Sequence, residues 1–428
     1  MPLTTRRRFL SRASKAALLC AAPAVGWAGA PPSEVVRAAV IGVRGRGRSF
    51  FDLGGRKDAL LAALCDVDKR TLGEAAESVE KSTGARPAVH SDFRRLFEDK
   101  SIDAVFVATP HHWHSPIAVR AIEAGKDVYV EKPASHVFRE GRLLVEAARK
   151  RGRIVQHGTQ MRSSEVTARA GEVLASGLLG KVKMAKAWNV QRHRHPDEVP
   201  DSDPPEGVDY DMWLGPAPER RFNPHRFHGG WNWFRDYGNG DIGNDGAHDI
   251  DMARWGLGVT THPVRITAHG SRVDLTGVRE FPDNMSVAYH YEEGKVLLYE
   301  DRGWTPYGLH GFDSGNAFYG TEGYMIFSRR GYFQVYMGQK EEPGPSLRGG
   351  AGMPEHVAGF LQSVKTRKEP SASAEVAHLS CGLIHLGEIA YRVGRVLRFD
   401  PRAERILDDP EADRMLTKEH RAPWGMEG

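Results

Sequence analysis

Five short apolar runs within the first 160 residues constrain the fold more tightly than anything else in this chain. They occupy 35–41, 60–64, 104–108, 127–130 and 154–156. Each is nearly continuous rather than alternating, so each reads as a strand covered on both faces. Helical spacing fills the gaps: a segment from Lys69, a short one around Phe93, Leu96 and Phe97, then 117–124 and 138–150. Strands alternating with helices of this length give a doubly wound parallel sheet. In such sheets ligands bind beyond the carboxyl ends of the strands, so the residues that close each run are where chemistry is sought.

The first run passes into Gly42-Val-Arg44-Gly45-Arg46-Gly47 and then a helix through Leu53. Strand, glycine turn and helix are the setting of a dinucleotide fingerprint. Gly42 and Gly47 take the first and third glycine places of G-x-G-x-x-G. Arg44 holds the middle place, with Gly45 beside it to allow close backbone approach. Arg44 and Arg46 put positive charge next to a pyrophosphate. The second run ends in Cys65-Asp66, with Asp66 19 residues beyond Gly47. An acid near that spacing accepts hydrogen bonds from the adenosine ribose. It repels a 2′-phosphate, which favours NAD over NADP, while Arg70 nearby leaves NADP open. Asp68 reads as the N-cap of the next helix.

The fourth run closes on Glu131-Lys132-Pro133. Proline fixes the exit direction, so Lys132 is held where cofactor and substrate meet. Taken alone, the Glu-Lys pair also fits a solvated surface. The context decides: the glycine turn, Asp66, Thr109-Pro110-His111 with His114 close behind, Glu131-Lys132-Pro133, Gly158-Thr159-Gln160 and 240–251 occur in a fixed order. That ordered set resembles the glucose-fructose oxidoreductase, inositol dehydrogenase and rhizopine-catabolism (Gfo/Idh/MocA) family of NAD(P)-dependent oxidoreductases, over roughly 35–400. The resemblance implies an α/β chain: an NAD(P)-binding Rossmann domain at 34–157 and a C-terminal α+β domain at 158–400 with a large, mostly antiparallel, open-faced sheet. A polar tail follows at 401–428.

The resemblance also implies roles. Lys132 and His248 flank the substrate carbon beside the nicotinamide. Thr109, Pro110, His111, His114 and Glu131 join the glycine turn and Asp66 around the cofactor. Gln160, Arg162, Trp231, Trp233, Asn244 and Asp245 join His248 around the substrate. Two departures stand out. The family often has an aspartate four residues before the histidine, where this chain has Asn244, with Asp245 next to it. It usually has asparagine after Thr-Pro, where this chain has His111. By itself, His248 before a helix would also fit a cap.

The second half alternates with period two after Pro263, as antiparallel strands with one open face do. An open apolar face calls for a homodimer or homotetramer. The stretch 191–240 is rich in tryptophan, histidine and proline, too aromatic for disorder. Aromatic faces beside polar donors suit a sugar ring; they would equally pin a loop or join subunits. His193 and His195 lack further ligands at metal spacing, so no metal is expected.

Arg6-Arg7-Arg8-Phe9-Leu10 before the apolar 16–28 resembles a twin-arginine export signal over 1–30, which places the protein in the periplasm. Without those residues 59 basic against 55 acidic groups become 54 against 55. Bulk charge therefore gives no nucleic-acid footprint, and no apolar run reaches membrane-span length. Cys65 and Cys381 read as buried thiols, not a disulfide framework. Three functions are compatible: a sugar or polyol dehydrogenase, an exported glycosidase or lyase that oxidises and re-reduces its substrate with the cofactor kept bound, and a non-catalytic NAD sensor.

Overall fold

The computed structural model describes residues 34–193, 198–274 and 277–426. The export signal and His195 lie outside the described residues. The first half runs β1 (Val36–Ile41), a 3-10 helix (Gly45–Gly55), β2 (Ala59–Cys65), α1 (Lys69–Thr83), β3 (Ala88–His90), α2 (Arg94–Glu98), β4 (Ala104–Val107), α3 (His111–Glu123), β5 (Asp127–Val130), α4 (Phe138–Arg151) and β6 (Val155–His157). The sheet order is β3-β2-β1-β4-β5-β6, with every pair parallel. The order in which strands are added reverses between β1 and β4, and a crevice opens at such a switch point. All four residues of β4 and of β5 are buried, which explains their unbroken apolar sequence. Asp68 caps α1 by accepting from Arg70 N and Thr71 N.

The second half runs α5 (Glu165–Ala175), β7 (Met184–Val190), α6 (Tyr210–Leu214), α7 (Gly240–Gly243), α8 (Gly246–Leu257), β8 (Arg265–Ser271), β9 (Asn284–His290), β10 (Val296–Arg302), β11 (Ser314–Tyr319), β12 (Gly323–Ser328), β13 (Tyr332–Met337), β14 (Glu342–Arg348), α9 (Met353–Thr366), α10 (Ala374–Val393), β15 (Leu397–Asp400), β16 (Arg405–Leu407) and α11 (Pro410–Arg414). Ten strands form one sheet in the order β14-β13-β12-β11-β7-β10-β9-β8-β15-β16. Only β7 and β10 pair in parallel. One face packs around Ile250, Tyr289, Phe318 and Leu383. The other carries Trp188, Val190, Ala317 and Ile326, with Phe312, Tyr319, Tyr324 and Tyr336 half-buried over them.

Helices α9 and α10 return to the first sheet. Phe360 lies edge-on to Phe106 with centroids 5.3 Å apart, and Val357 and Leu361 join the same core as Val36 and Tyr129. Arg367, just past α9, forks onto Asp127 at 2.8 Å for both contacts. The polar segment after Arg402 carries the edge strand β16 and ends on Trp424, buried with its ring 5.0 Å from Trp113. Cys65 and Cys381 are free and buried. Among the described residues no helix is long and apolar enough to cross a membrane.

Candidate active site

A cavity of about 400 Å³ opens at the carboxyl ends of β1 and β4. Its floor is the glycine turn. Gly42 has φ +85°, and a Cβ there would sit 2.6 Å from Ala108 O; a Cβ at Gly47 would sit 1.8 Å from Gly42 O. Gly45 has φ +44° and faces open space, so a ligand can approach its backbone. Arg44 beside it is exposed and lines the cavity. Asp66 accepts from Val43 N at 2.9 Å and Asp68 N at 3.1 Å. Burial raises its carboxyl, and those two N–H groups oppose the rise.

Arg46 is not a free phosphate ligand. Its Nε donates to Glu131 Oε1 at 2.7 Å, and its Nη2 meets Met353 Sδ. Burial alone would raise the Glu131 carboxyl, but Arg46 holds it below the usual range. The pair ties the glycine turn to the strand that carries Lys132. His114 is likewise engaged: Nδ1 meets Pro133 O at 2.7 Å and Nε2 meets Thr109 O at 2.8 Å. It clamps the ends of β4 and β5 together, with only its ring surface left to the cavity. His111 Nδ1 meets Asn239 Oδ1 at 3.2 Å, and its ring lies edge-on to Trp231 at 4.7 Å.

Lys132, two residues past the end of β5, lines the cavity. Its Nζ donates to Asn244 O at 2.8 Å and Asn244 Oδ1 at 3.0 Å. Burial lowers its pKa against the opposing pull of Asp245 and Glu131. His248, in the first turn of α8, lines the same cavity. Burial, Arg329 and Lys132 push its pKa well down, so the ring is neutral. Neither of its ring nitrogens has a hydrogen-bond partner among the described residues. Asp245 does not relay to it. That carboxylate accepts from Arg329 Nη1 at 3.1 Å and from Gln191 Nε2. Burial would raise Asp245, yet Arg329 and Lys132 hold it far below the usual range.

Several expected substrate residues lie elsewhere. Arg162 is a buried partner of Asp251, with contacts of 2.7 and 2.8 Å, and does not line the cavity. Buried carboxylates require such a partner, and the arginine's proximity in sequence to Gln160 gave no hint of it. Trp233 packs under the Arg279 guanidinium at 4.1 Å and beside His193 at 4.7 Å, whereas Trp231 does reach the cavity. Most aromatics of the 191–240 stretch form their own core, with Trp213 4.8 Å from Tyr237. His193 pairs with Asp241. His228, one of the histidines of the 191–240 stretch, lines the cavity and meets Asp68 Oδ2 at 3.0 Å. The motif reading missed Arg329, which sets the charge around Lys132 and His248 from a turn after β12 and carries no local sequence signal.

The residues present fit a dinucleotide. The glycine cradle admits no side chain at Gly42 or Gly47. Thr109 Oγ1 and Gln160 Oε1 are buried without a hydrogen-bond partner on residues that line the cavity, which is the condition of groups awaiting a polar ligand. Fold and cavity together define the class of NAD-binding oxidoreductases. Residues 36–159 match "Oxidoreductase family, NAD-binding Rossmann fold" and 172–426 match "Oxidoreductase family, C-terminal alpha/beta domain". The chain belongs to the Gfo/Idh/MocA oxidoreductase family.

Among curated proteins the chain is similar to an alpha-N-acetylgalactosaminidase from Shewanella oneidensis, 33% identical over 124 residues, 28% of this chain and 27% of that one. The chain thus spans about a quarter of the length of this curated relative. Among solved structures, a levoglucosan dehydrogenase in complex with NADH and levoglucosan superposes with TM-score 0.66 at 18% identity, covering 85% of this chain and 99% of that one. An aldose-aldose oxidoreductase from Caulobacter crescentus, complexed with glycerol, gives 0.65 at 18% identity, covering 85% and 99%. These likenesses show a common fold.

Proposed function

We propose that this protein oxidises a carbinol carbon of a sugar, polyol or glycoside with NAD. The observation that carries the reading is the shared cavity of a lysine with a lowered pKa and a neutral histidine with both ring nitrogens open. NAD, when bound, supplies the hydride acceptor. Arg44, the Gly45 backbone and Asp66 would hold it, with Thr109 and Gln160 offering unpaired oxygens deeper in. Lys132, as neutral amine, takes the proton of the hydroxyl being oxidised as the C–H bond gives up its electron pair. A base is most effective with a pKa near the working pH, and burial moves Lys132 in that direction. The Asn244 carbonyl and amide oxygens aim its Nζ, while His248 accepts a hydrogen bond from the same or the adjacent hydroxyl. Trp231 offers an apolar face for the ring's C–H groups.

A second reading is favoured by one observation, the similarity of a 124-residue stretch of the chain to an alpha-N-acetylgalactosaminidase. In that reading the oxidation is transient, the glycosidic oxygen leaves, and the product is reduced again without net NADH. Incubating the purified protein with a panel of free sugars and glycosides separates the two. NADH absorbance rising with substrate marks the dehydrogenase. Sugar release without it marks the redox-neutral enzyme, and neither product would sink both.

Two further proposals concern context. The arginine pair before the apolar 16–28 supports export to the periplasm by the twin-arginine route. The tyrosine stack on the outer sheet face, with centroids 5.8 Å between Tyr319 and Tyr324 and 5.0 Å between Tyr324 and Tyr336, supports a homo-oligomer through that sheet. Light scattering on the wild type and on Tyr324→Glu reads this; an unchanged mass rejects it.

A further inference from the structure

None of the residues that line the cavity takes part in a second constellation. His262, on the loop between α8 and β8, His378 of α10 and Glu404 of the β15–β16 turn converge beneath α4. His262 Nε2 and His378 Nε2 are 3.3 Å apart. His378 Nε2 is 2.9 Å from Glu404 Oε1, and His262 Nε2 is 3.5 Å from the same oxygen. Both imidazoles are buried, at 2% and 1% exposure. The geometry points to a divalent-metal site of the zinc class on His262, His378 and Glu404.

Spacing is the first support. Two ligand atoms each ~2.0–2.1 Å from a tetrahedral ion lie about 3.3–3.4 Å apart. The three observed edges fall close to that value on either side. Two imidazoles and a carboxylate are also the donor set that suits zinc and its neighbours. The second support is the direct approach of the two rings. Their Nε2 atoms face each other at 3.3 Å beside one carboxylate oxygen, and if both carry protons two donors oppose each other there. A cation that takes both Nε2 lone pairs ends that contact and leaves each ring an Nδ1–H that has no hydrogen-bond partner, so spacing and donor set carry the site.

Arg142 is the rival cation. Its Nε reaches Glu404 Oε2 at 3.0 Å and its Nη2 reaches Oε1 at 2.5 Å. In the metal-bound form it orients the ligating carboxylate, as outer-shell partners do, while Oε1 is shared with the ion. Such a site would staple α10, the loop after α8 and the C-terminal hairpin together. The ligands lie 116 and 26 residues apart in sequence, so no motif announces them.

The test uses the full chain, produced with added zinc, dialysed against zinc-free buffer and analysed for metal. The expected result is about one zinc per chain, falling to below about a tenth in both His378→Gln and Glu404→Gln. Cobalt in place of zinc should give the visible bands of a tetrahedral site in the wild type alone. Circular dichroism shows whether the variants fold. If they do not, dipicolinate added to the wild type should lower Tm and zinc restore it. Wild-type protein without retained zinc, zinc retained in folded variants, or a Tm indifferent to chelator would overturn the site and leave a metal-free cluster neutralised by Arg142.

Discussion

Replacing Arg46 tests whether the second arginine of the glycine turn serves the cofactor or the fold. Glu131 is 5% exposed in its side chain and Arg46 35%. The carboxylate has little room: a Cβ at Gly158 would lie 2.9 Å from its atoms. Arg46→Met keeps the stem beside the Phe50 ring and removes the charge. Stranding one partner of a fully buried pair costs about 3–5 kcal/mol. The exposed side of Arg46 lets water reach Glu131 and reduces that to about 2–3 kcal/mol. Urea unfolding followed by tryptophan fluorescence reads the loss, and Glu131→Gln added to Arg46→Met should recover more than half of it. Arg44→Met gives the converse pattern. That residue is exposed, so stability stays within about 0.5 kcal/mol, while loss of one charge-assisted phosphate contact weakens NAD about tenfold by calorimetry. If Arg46→Met instead weakens NAD tenfold at unchanged stability, the ion pair is incidental and the reasoning fails.

Two pH effects follow from the charges around α8. Arg329 lowers the pKa of both Lys132 and His248, so Arg329→Gln should move the rising limb of kcat/KM to higher pH, because the lysine must lose its proton to act; a profile that stays put removes Arg329 from the account. Asp249 is buried, its carboxyl oxygens have no hydrogen-bond partner and Arg329 Nε stands 3.8 Å from Oδ2; burial pushes its pKa up to about 8 against the pull of Arg329. Between the ordinary aspartate value and about 8 the folded chain holds a proton that the unfolded chain lacks. Stability therefore falls as pH rises through that window, by up to about 1.4 kcal/mol per unit from this group. Asp249→Asn should flatten that slope and leave the protein more stable at pH 8; an unchanged slope counts against a protonated Asp249.

Much of the first half was legible because its signals are local. Strands buried on both faces need unbroken apolar runs, and the turn after β1 cannot hold a Cβ at Gly42 or Gly47. Lys132 and His248 were legible only as members of an ordered set. Long-range pairing was not legible. Nothing near Arg46 shows that Glu131, 85 residues on, closes over it, and Arg162 reads as a substrate contact until Asp251 is placed against it. Nor does anything local show that Phe360 of α9 would bury its ring against Phe106 on the first sheet. The aromatics of 191–240 had two readings, and packing divided them: Trp231 faces the cavity, while Trp213 and Tyr237 hold the loop together.

The most direct measurement is the turnover of Lys132→Ala on whichever sugar or glycoside the wild type converts, with the NAD dissociation constant measured on the same preparation. A lysine that takes the hydroxyl proton predicts at least a hundredfold loss of kcat, on the order of general-base effects, with NAD binding within about threefold of wild type. Turnover close to wild type at intact NAD binding would contradict the assignment of the cavity as a hydride-transfer site built around Lys132.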